Sequence, residues 1–446
     1  MIGIGIKRTR FTGKPLVLLA IGVLFAAQAL AQQPQAYLPT DSTLTALIAE
    51  GQANSPSLKS VREQVSAANQ RIPQAGSWPD PTLAFGAANL PVNTFSFNQE
   101  PMTAVWITLG QTVPLTHRFR ASKAAASSLA NVTSEHLVAS ELALGQQIAS
   151  ASWDFAYLRR SVDAVDSTLG LLDDLITITR TRYETGRGLQ QDILRLQTER
   201  TKLDDRRALL EQQARSAERK VALLVGRGPE EATIHAPLLP DRFLPIDSLR
   251  TLQAVLEQNP KLAASKLTVK AMNEKERTVR AMRIPDLKLS AGYGIRQNAS
   301  NGTQRPDYLT LTAGVSIPLF AGSKQNRAID ESRANQRAAN QALKNEELNV
   351  RFELATLLDE DNRLAHQIDL YRQGVVPQAS ATLEAATSSY AVGKVDVEAM
   401  LSAETALINA RLELYARLRD RAKTRAALAA LAGSPELTGP GSTISE

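Results

Sequence analysis

The clearest pattern along the chain is a series of mostly apolar residues spaced alternately three and four positions apart. The series begins at Phe155 and ends at Tyr183. After a short gap a seven-residue spacing follows, with its members at Leu196, Leu203, Leu210, Ala217 and Leu224. Heptad patterns of this kind are typical of coiled-coil helices. The sequence therefore predicts two long helices that pack against each other, joined by a turn at Gly186 and Gly188.

A second copy of this arrangement follows later in the chain. Five landmarks recur in the same order at offsets of 204 to 207 residues: Pro56 and Pro260, Pro79 and Pro285, Pro114 and Pro318, Gly186 and Gly393, Gly226 and Gly433. Such self-similarity is the signature of an internal repeat. We expect a first repeat over 42–226, an equatorial inter-repeat segment over 227–246, a second repeat over 247–433 and a flexible C-terminal tail over 434–446.

Each repeat also contains two short stretches in which apolar and polar residues alternate. In the second repeat the apolar series runs from Leu287 to Ile295, and the next runs from Leu309 to Ile317. A period of two with one apolar face predicts a half-buried strand. The opposite face is small and rich in glycine, which suits a transmembrane barrel. A water-soluble sandwich is the alternative.

The lengths of the predicted helices place the strands far from the turns. The stretch from Thr116 to Tyr183 has 68 residues and no internal proline, which corresponds to about 100 Å of helix. Its counterpart over 323–390 contains only Pro377. The return helices, 188–226 and 395–432, are little more than half as long. We expect the N-terminal helices of each repeat to stack on them and complete the partner of each long helix.

Four strands impose a requirement on assembly. They cannot close a barrel alone, and open sheet edges cannot face lipid. A transmembrane barrel must then be shared, with eight strands from two chains or twelve from three. Eight strands fill with side chains, whereas twelve can leave a lumen. A channel therefore requires three chains.

The N-terminal segment 1–31 has the composition of a secretory signal peptide. It carries four Lys or Arg and no acid, then a short apolar run, then Ala29 and Ala31. We expect cleavage after Ala31, with an uncleaved anchor helix as the alternative. The formal net charge of +6 then falls to 6 − 4 = +2. No nucleic-acid partner is predicted, and the absence of cysteine means that the chain is not lipidated.

The sequence offers no arrangement that predicts catalysis. The chain has only four histidines, and none of them forms a pair at metal-ligand spacing. The chain also lacks a nucleophile elbow, a zinc-protease motif and a phosphate-binding loop. We therefore expect that the protein is not an enzyme and that it has no cofactor or metal site.

Two pairs of motifs carry a resemblance to a known family. "YETG" and "YAVG" are followed by "ILRLQTE" and "MLSAETA", and the proline-bounded strands are duplicated. In these features nearly the whole mature chain resembles the TolC-type outer-membrane efflux channels. The resemblance implies a mainly α protein with a small β part, in which long coiled-coil hairpins form a periplasmic tunnel. Four strands per chain would contribute to a shared, trimeric, 12-stranded barrel in the outer membrane of a Gram-negative bacterium.

The same resemblance implies partners and substrates. The homotrimer would be surrounded by outer-membrane lipid, and its tip would dock to a periplasmic adaptor protein that is fed by an inner-membrane pump. The segment "LPVNTFSFNQEPMT" before "QTVPLTHRFR" resembles the branch that serves heavy-metal exporters. Two other classes stay open on the residues alone. These are a periplasmic adaptor and a coiled-coil scaffold that forms no channel.

The resemblance also assigns candidate site residues beside the two turns. Adaptor docking is expected at the tip residues Gly186, Arg187, Gly393 and Lys394, although the glycines could serve only the turns. A periplasmic gate is expected just beyond the turns, at Asp192, Arg195, Asp396 and Glu398. In a trimer each lumenal acid becomes a ring of three carboxylates that favours cations. A solvated helix face is the alternative for these acids.

Overall fold

The structure is a computed structural model, and it describes residues 36–38, 41–231 and 233–437. The predicted signal peptide over 1–31 lies outside the described residues, as does 438–446 of the predicted C-terminal tail.

The two repeats have the same order of elements. The first comprises α1 Ser42–Asn54, α2 Pro56–Gly76, β1 Thr82–Ala88, β2 Ala104–Val113, α3 Arg118–Glu184 and α4 Gln190–Val225. The second comprises α5 Ser248–Gln258, α6 Pro260–Ala281, β3 Leu287–Ile295, β4 Tyr308–Val315, α7 Gln325–Leu370, α8 Val376–Ala391 and α9 Val397–Leu431. The two halves thus repeat one order of elements, and the N-terminal helical segment of each repeat is divided into two helices, at Pro56 and at Pro260. No helix in the described part of the chain is long and apolar enough to cross a membrane.

The long helices differ between the repeats at one point. α3 is continuous over 67 residues. In the second repeat a π-helical turn over Tyr371–Val375 separates α7 from α8, and Pro377 follows in the first turn of α8. Because proline has no backbone N–H, the regular hydrogen-bond ladder cannot continue through it. The N–H of Val376 instead donates to the carbonyl of Tyr371, so the wider turn carries the helix past the proline.

The helices pack in the way that the lengths predict. α3 contacts α2 and α6 along the part near the strands, and α4 and α9 along the part near the turns. α6 lies between α3 and α7. α1 packs against the end of α4. A Cβ atom added to Gly51 of α1 would lie only 3.5 Å from the Cα atom of Val225. The short N-terminal helices therefore complete the partners of the long ones.

The four strands form one antiparallel sheet in the order β1-β2-β3-β4. The two repeats join through β2 and β3, in a register that pairs Val105 with Ile295 and Val113 with Leu287. The outer edges of β1 and β4 have no strand partner within the described chain. The apolar face of the sheet is also uncovered in one chain, since Phe85 is 72% exposed and Leu311 is 74% exposed.

Two hydrophobic clusters hold the helices together. The first lies in the middle of the molecule around Ile148 and Trp153, and the inter-repeat segment adds Ile234 and Leu239 to it. The second lies between α3, α4, α8 and α9 towards the turns, around Val165 and Met400. The two hairpins of one chain are therefore packed as a single bundle near the turns.

A buried ion-pair network joins α7, α9 and the inter-repeat segment. Asp361 accepts from Arg425 at 2.6 Å and from Arg421 at 3.1 Å. The guanidinium of Arg425 also donates to the carbonyl of Leu244 at 2.9 Å. Arg425 is 1% exposed and Asp361 is 4% exposed. Removing one partner of such a pair leaves an uncompensated buried charge, so the network fixes the segment against the helices.

The prediction of a flexible tail from residue 434 is wrong for its first four residues. Leu437 is fully buried, and the amide of Gln52 donates to its carbonyl at 2.5 Å. The carboxylate of Glu436 accepts from the backbone N–H groups of Tyr37 and Leu38, each at 3.1 Å. These partners lie almost 400 residues away in sequence, so no local pattern could indicate them.

Candidate functional site

The first hairpin turns at a glycine that adopts a left-handed backbone conformation. Gly186 has φ +70°. Its N–H donates to the carbonyl of Tyr183 at 2.9 Å, and the N–H of Arg187 donates to the carbonyl of Arg182 at 2.8 Å. This pattern is a Schellman motif, which satisfies the last carbonyls of α3 and favours glycine at the left-handed position.

The second hairpin repeats this geometry 207 residues later. Gly393 has φ +76°. Its N–H donates to the carbonyl of Tyr390 at 3.0 Å, and the N–H of Lys394 donates to the carbonyl of Ser389 at 2.9 Å. The matched "YETG" and "YAVG" motifs therefore encode the same helix ending. Both glycines serve the backbone of the turn, whatever else they do.

The two turns present backbone and positive charge to solvent. A Cβ placed on Gly186 would meet no other group within 4 Å, and one on Gly393 would meet only the guanidinium of Arg182 at 3.3 Å. Arg187 and Lys394 are exposed. The structure therefore places the four predicted docking residues on one open end of the molecule, with a cation at each turn.

A buried contact fastens the two turns to each other. The hydroxyls of Thr179 on α3 and Tyr390 on α8 share a hydrogen bond of 3.0 Å. The guanidinium of Arg182 lies over the ring of Tyr390, 4.6 Å from its centroid, and donates to the carbonyl of the same residue. We name Thr179, Arg182 and Tyr390 the hairpin seam.

The seam breaks the symmetry between the repeats. Tyr390 is 3% exposed, whereas its counterpart Tyr183 is 45% exposed. At the 207-residue offset the counterparts of Thr179 and Arg182 are Ala386 and Ser389, which cannot make the same contacts. The two tyrosines hold equivalent positions in the matched motifs "YETG" and "YAVG". The chain can form this seam with Tyr390 only.

The four gate candidates do not form one cluster. Arg195 and Glu398 are joined by an ion pair of 3.1 Å between α4 and α9, with side chains 50% and 67% exposed. Asp396 caps α9, because its carboxylate accepts the N–H of Ala399 at 3.0 Å. Asp192 lies half-buried in the first turn of α4. Only Arg195 and Glu398 connect the two hairpins, and exposed pairs of this kind contribute about 0–1 kcal/mol.

One acid that the sequence motifs do not single out lies inside the bundle. Glu404 on α9 is 2% exposed, and its Oε1 atom is buried without a hydrogen-bond partner. Burial, with a smaller contribution from the charge of Glu199, raises the pKa of its carboxyl group to about 7. The signal was present, since Glu404 lies midway between the buried residues Met400 and Ile408.

With the fold and the turns in place, the chain can be compared with known proteins. It matches the outer membrane efflux protein family over residues 47–227 and 251–434. It is 25% identical to outer membrane protein TolC of Escherichia coli K12 over 186 residues, which cover 39% of this chain and 37% of TolC. The alignment thus spans about a third of that relative.

Solved structures resemble the chain over most of its length. The outer membrane protein VceC of Vibrio cholerae has a TM-score of 0.74 at 21% identity, over 88% of this chain and 97% of VceC. CusC, described as forming a transmembrane channel, has a TM-score of 0.74 at 17% identity, over 90% of this chain and 95% of CusC. At these identities the likeness establishes the fold.

These matches define the class of protein. The chain is an outer-membrane efflux protein with the fold of the solved outer-membrane channels. The chain belongs to the outer membrane efflux protein family. The family places it in the outer membrane of a Gram-negative bacterium with a large periplasmic part. The resemblance, the fold class and the location predicted from the sequence are thereby confirmed. A periplasmic adaptor or a scaffold without a channel is set aside.

Proposed function

We propose that three copies of this chain form a continuous channel that carries substrates from the periplasmic side of an efflux system to the exterior. The single observation that carries the proposal is the four-stranded sheet, whose outer strands β1 and β4 have free edges within the described chain. Three such sheets joined edge to edge give a closed 12-stranded barrel. Closure satisfies the backbone groups that could not face lipid.

The dimensions of the elements support this assignment. β2 has ten residues and β3 has nine, which suits tilted strands that cross a bilayer. The exposed apolar face, with Phe85 and Leu311, would then meet lipid. The 67 residues of α3 extend about 100 Å from the barrel. Three sets of hairpins around one axis would enclose a tunnel through the periplasm.

The tip of this tunnel is proposed as the docking surface for a periplasmic adaptor coupled to an inner-membrane pump. Arg187 and Lys394 are exposed beside turns that carry almost no side-chain cover. In a trimer the two cations per chain become six around the axis. Such a ring suits partner helices that present carboxylates. No catalytic role is proposed for any residue of the chain.

The resting state is proposed to be closed at the same end. The hairpin seam and the pair between Arg195 and Glu398 hold the two hairpins of one chain together. Opening requires the hairpins to shift against each other, so these contacts bias the closed state. The link to heavy-metal exporters rests on the segment 90–103 and stays a prediction.

Export in cells tests the proposed function. A strain that lacks its own outer-membrane channels would receive this chain together with a periplasmic adaptor and an inner-membrane pump from the same source genome. We expect lower accumulation of a fluorescent dye or of a transition metal than in the same strain without the chain. Equal accumulation, with the protein present in the outer membrane and the pump and adaptor expressed, would contradict the proposal.

A further inference from the structure

A cavity of about 360 Å³ lies between α3, α8 and α9, in the bundle formed by the two hairpins. Its lining is amphipathic. Leu171, Leu383 and Leu407 give it an apolar wall, and Glu404, Thr168 and Thr387 are among its polar lining residues. Small-molecule sites commonly have this volume and this mixture of apolar surface with a few polar groups.

Glu404 is the unusual member of this lining. It is 2% exposed and occupies the buried stripe of α9, at a position where coiled coils carry leucine or isoleucine. Its Oε1 atom has no hydrogen-bond partner. The carboxylate has a hydrogen bond with the hydroxyl of Thr405, but its Oε1 atom is buried with its hydrogen-bonding capacity unused, which is costly. The arrangement therefore indicates a partner that the cavity receives from solution.

The charges around the cavity favour a cation. Glu404 has Glu199 and Arg206 of α4 on one side, and Glu384 and Arg411 line the cavity itself. The guanidinium of Arg206 already donates to Asn409 at 3.1 Å. Counting all five groups, three carboxylates face two guanidiniums.

The hydroxyl groups of α3 add acceptors rather than charge. Thr168 donates its hydroxyl hydrogen to the carbonyl of Ala164 at 3.0 Å. The hydroxyl oxygen can therefore act only as an acceptor towards a ligand. A primary ammonium group has three N–H donors. Glu404 and the hydroxyl oxygens can accept them together.

We propose that this cavity binds a small organic cation with a primary ammonium group and a compact apolar body. The ammonium group pairs with Glu404, and the apolar body packs against the leucine wall. This site lies within the wall of the tunnel, between the two hairpins of one chain. None of the four docking residues at the turns lines it, and it does not depend on the proposed transport function.

Binding of such a cation is coupled to a proton. The pKa of the Glu404 carboxyl group is raised to about 7 by its burial, whereas the bound form requires the carboxylate. The cation therefore binds more tightly above neutral pH and displaces a proton below it. An uncharged ligand of the same shape would show neither effect.

Calorimetric titration of the purified full-length protein with 2-phenylethylammonium tests the proposal. We expect affinity about tenfold higher at pH 8 than at pH 6, because the fraction of ionised Glu404 changes by about that factor around its pKa. At pH 7, titrations in two buffers of different ionisation enthalpy should show release of about half a proton per site. Glu404→Gln should lose at least tenfold in affinity at pH 8.

Two controls make the result specific. Glu413→Gln removes an acid of the same helix that pairs with Arg417 at 2.8 Å outside the cavity, and it should bind like the wild type. The uncharged 2-phenylethanol should bind without dependence on pH. Absence of binding at pH 8, equal affinity at pH 6 and pH 8, or no proton release in the wild type would overturn the proposal. These wild-type outcomes hold even if Glu404→Gln fails to fold.

Discussion

Thr179 and Tyr390 are 211 residues apart in sequence, yet their hydroxyl groups share a buried hydrogen bond of 3.0 Å between the two hairpins. Because the surrounding core is closed to water, loss of this bond costs about 1 kcal/mol per chain. We expect Tyr390→Phe to raise the resting conductance of the purified channel in planar bilayers. The control is Tyr183→Phe, at the exposed counterpart. Equal resting conductance in both variants would show that the seam does not hold the closed state.

The exposed pair between Arg195 and Glu398 should act on the same equilibrium more weakly. We expect a coupling energy below about 1 kcal/mol in a double-mutant cycle of Arg195→Gln and Glu398→Gln, with a modest rise in resting conductance for either variant. Asp396→Asn is the matched control, since asparagine can also cap α9. A larger rise for Asp396→Asn than for Glu398→Gln would place the gate at the cap instead of at the ion pair.

The docking surface can be tested without disturbing the turns. Gly186 and Gly393 need positive φ, so their replacement strains the backbone and confuses docking with folding. The double variant Arg187→Glu with Lys394→Glu leaves the backbone unchanged and reverses the charge. We expect it to abolish export in cells while bilayer conductance stays normal. Arg159→Glu, at an exposed position of α3 many helical turns before the hairpin turn, should export normally. Full export by the double variant would contradict docking at these cations.

Glu404 predicts a pH dependence of stability. Its pKa in the folded chain is about 7, above the ordinary value of 4.5, so the folded state binds a proton more tightly than the unfolded state. The resulting stabilisation is complete below about pH 4.5 and is lost as the pH rises through 7. It amounts to on the order of 3 kcal/mol per chain. Thermal unfolding should therefore show a fall in stability from pH 5 to pH 8 in the wild type that is absent from Glu404→Gln.

Much of this architecture was predictable because its signals are local or repeated. The heptad series from Phe155 to Tyr183 indicates the coiled coil, and the prolines beside each strand mark the ends of the sheet. The left-handed glycines of both turns follow from the matched motifs. Each of these features depends on residues within a few turns of one another.

The features that escaped prediction depend on contacts between distant segments. Tyr183 and Tyr390 look alike in sequence, and only their neighbours across the bundle distinguish the exposed ring from the buried one. The position of Glu404 in the buried stripe is visible in the sequence, but the cavity beside it is formed by three separate helices. The burial of Leu437 likewise depends on helix α1 at the other end of the chain.

The proposed barrel is tested most directly by disulfide cross-linking, which the absence of native cysteine makes clean. Phe85→Cys on β1 would be combined in turn with Leu309→Cys, Leu311→Cys or Ala313→Cys on β4. If neighbouring chains pair β1 with β4, at least one combination should give covalent trimers, with dimers as intermediates, on a non-reducing gel. Thr310→Cys and Thr312→Cys, on the other face of the sheet, should not. If every combination gave only monomers on the gel, or if the covalent products ended at the dimer, a barrel built from three chains would be contradicted.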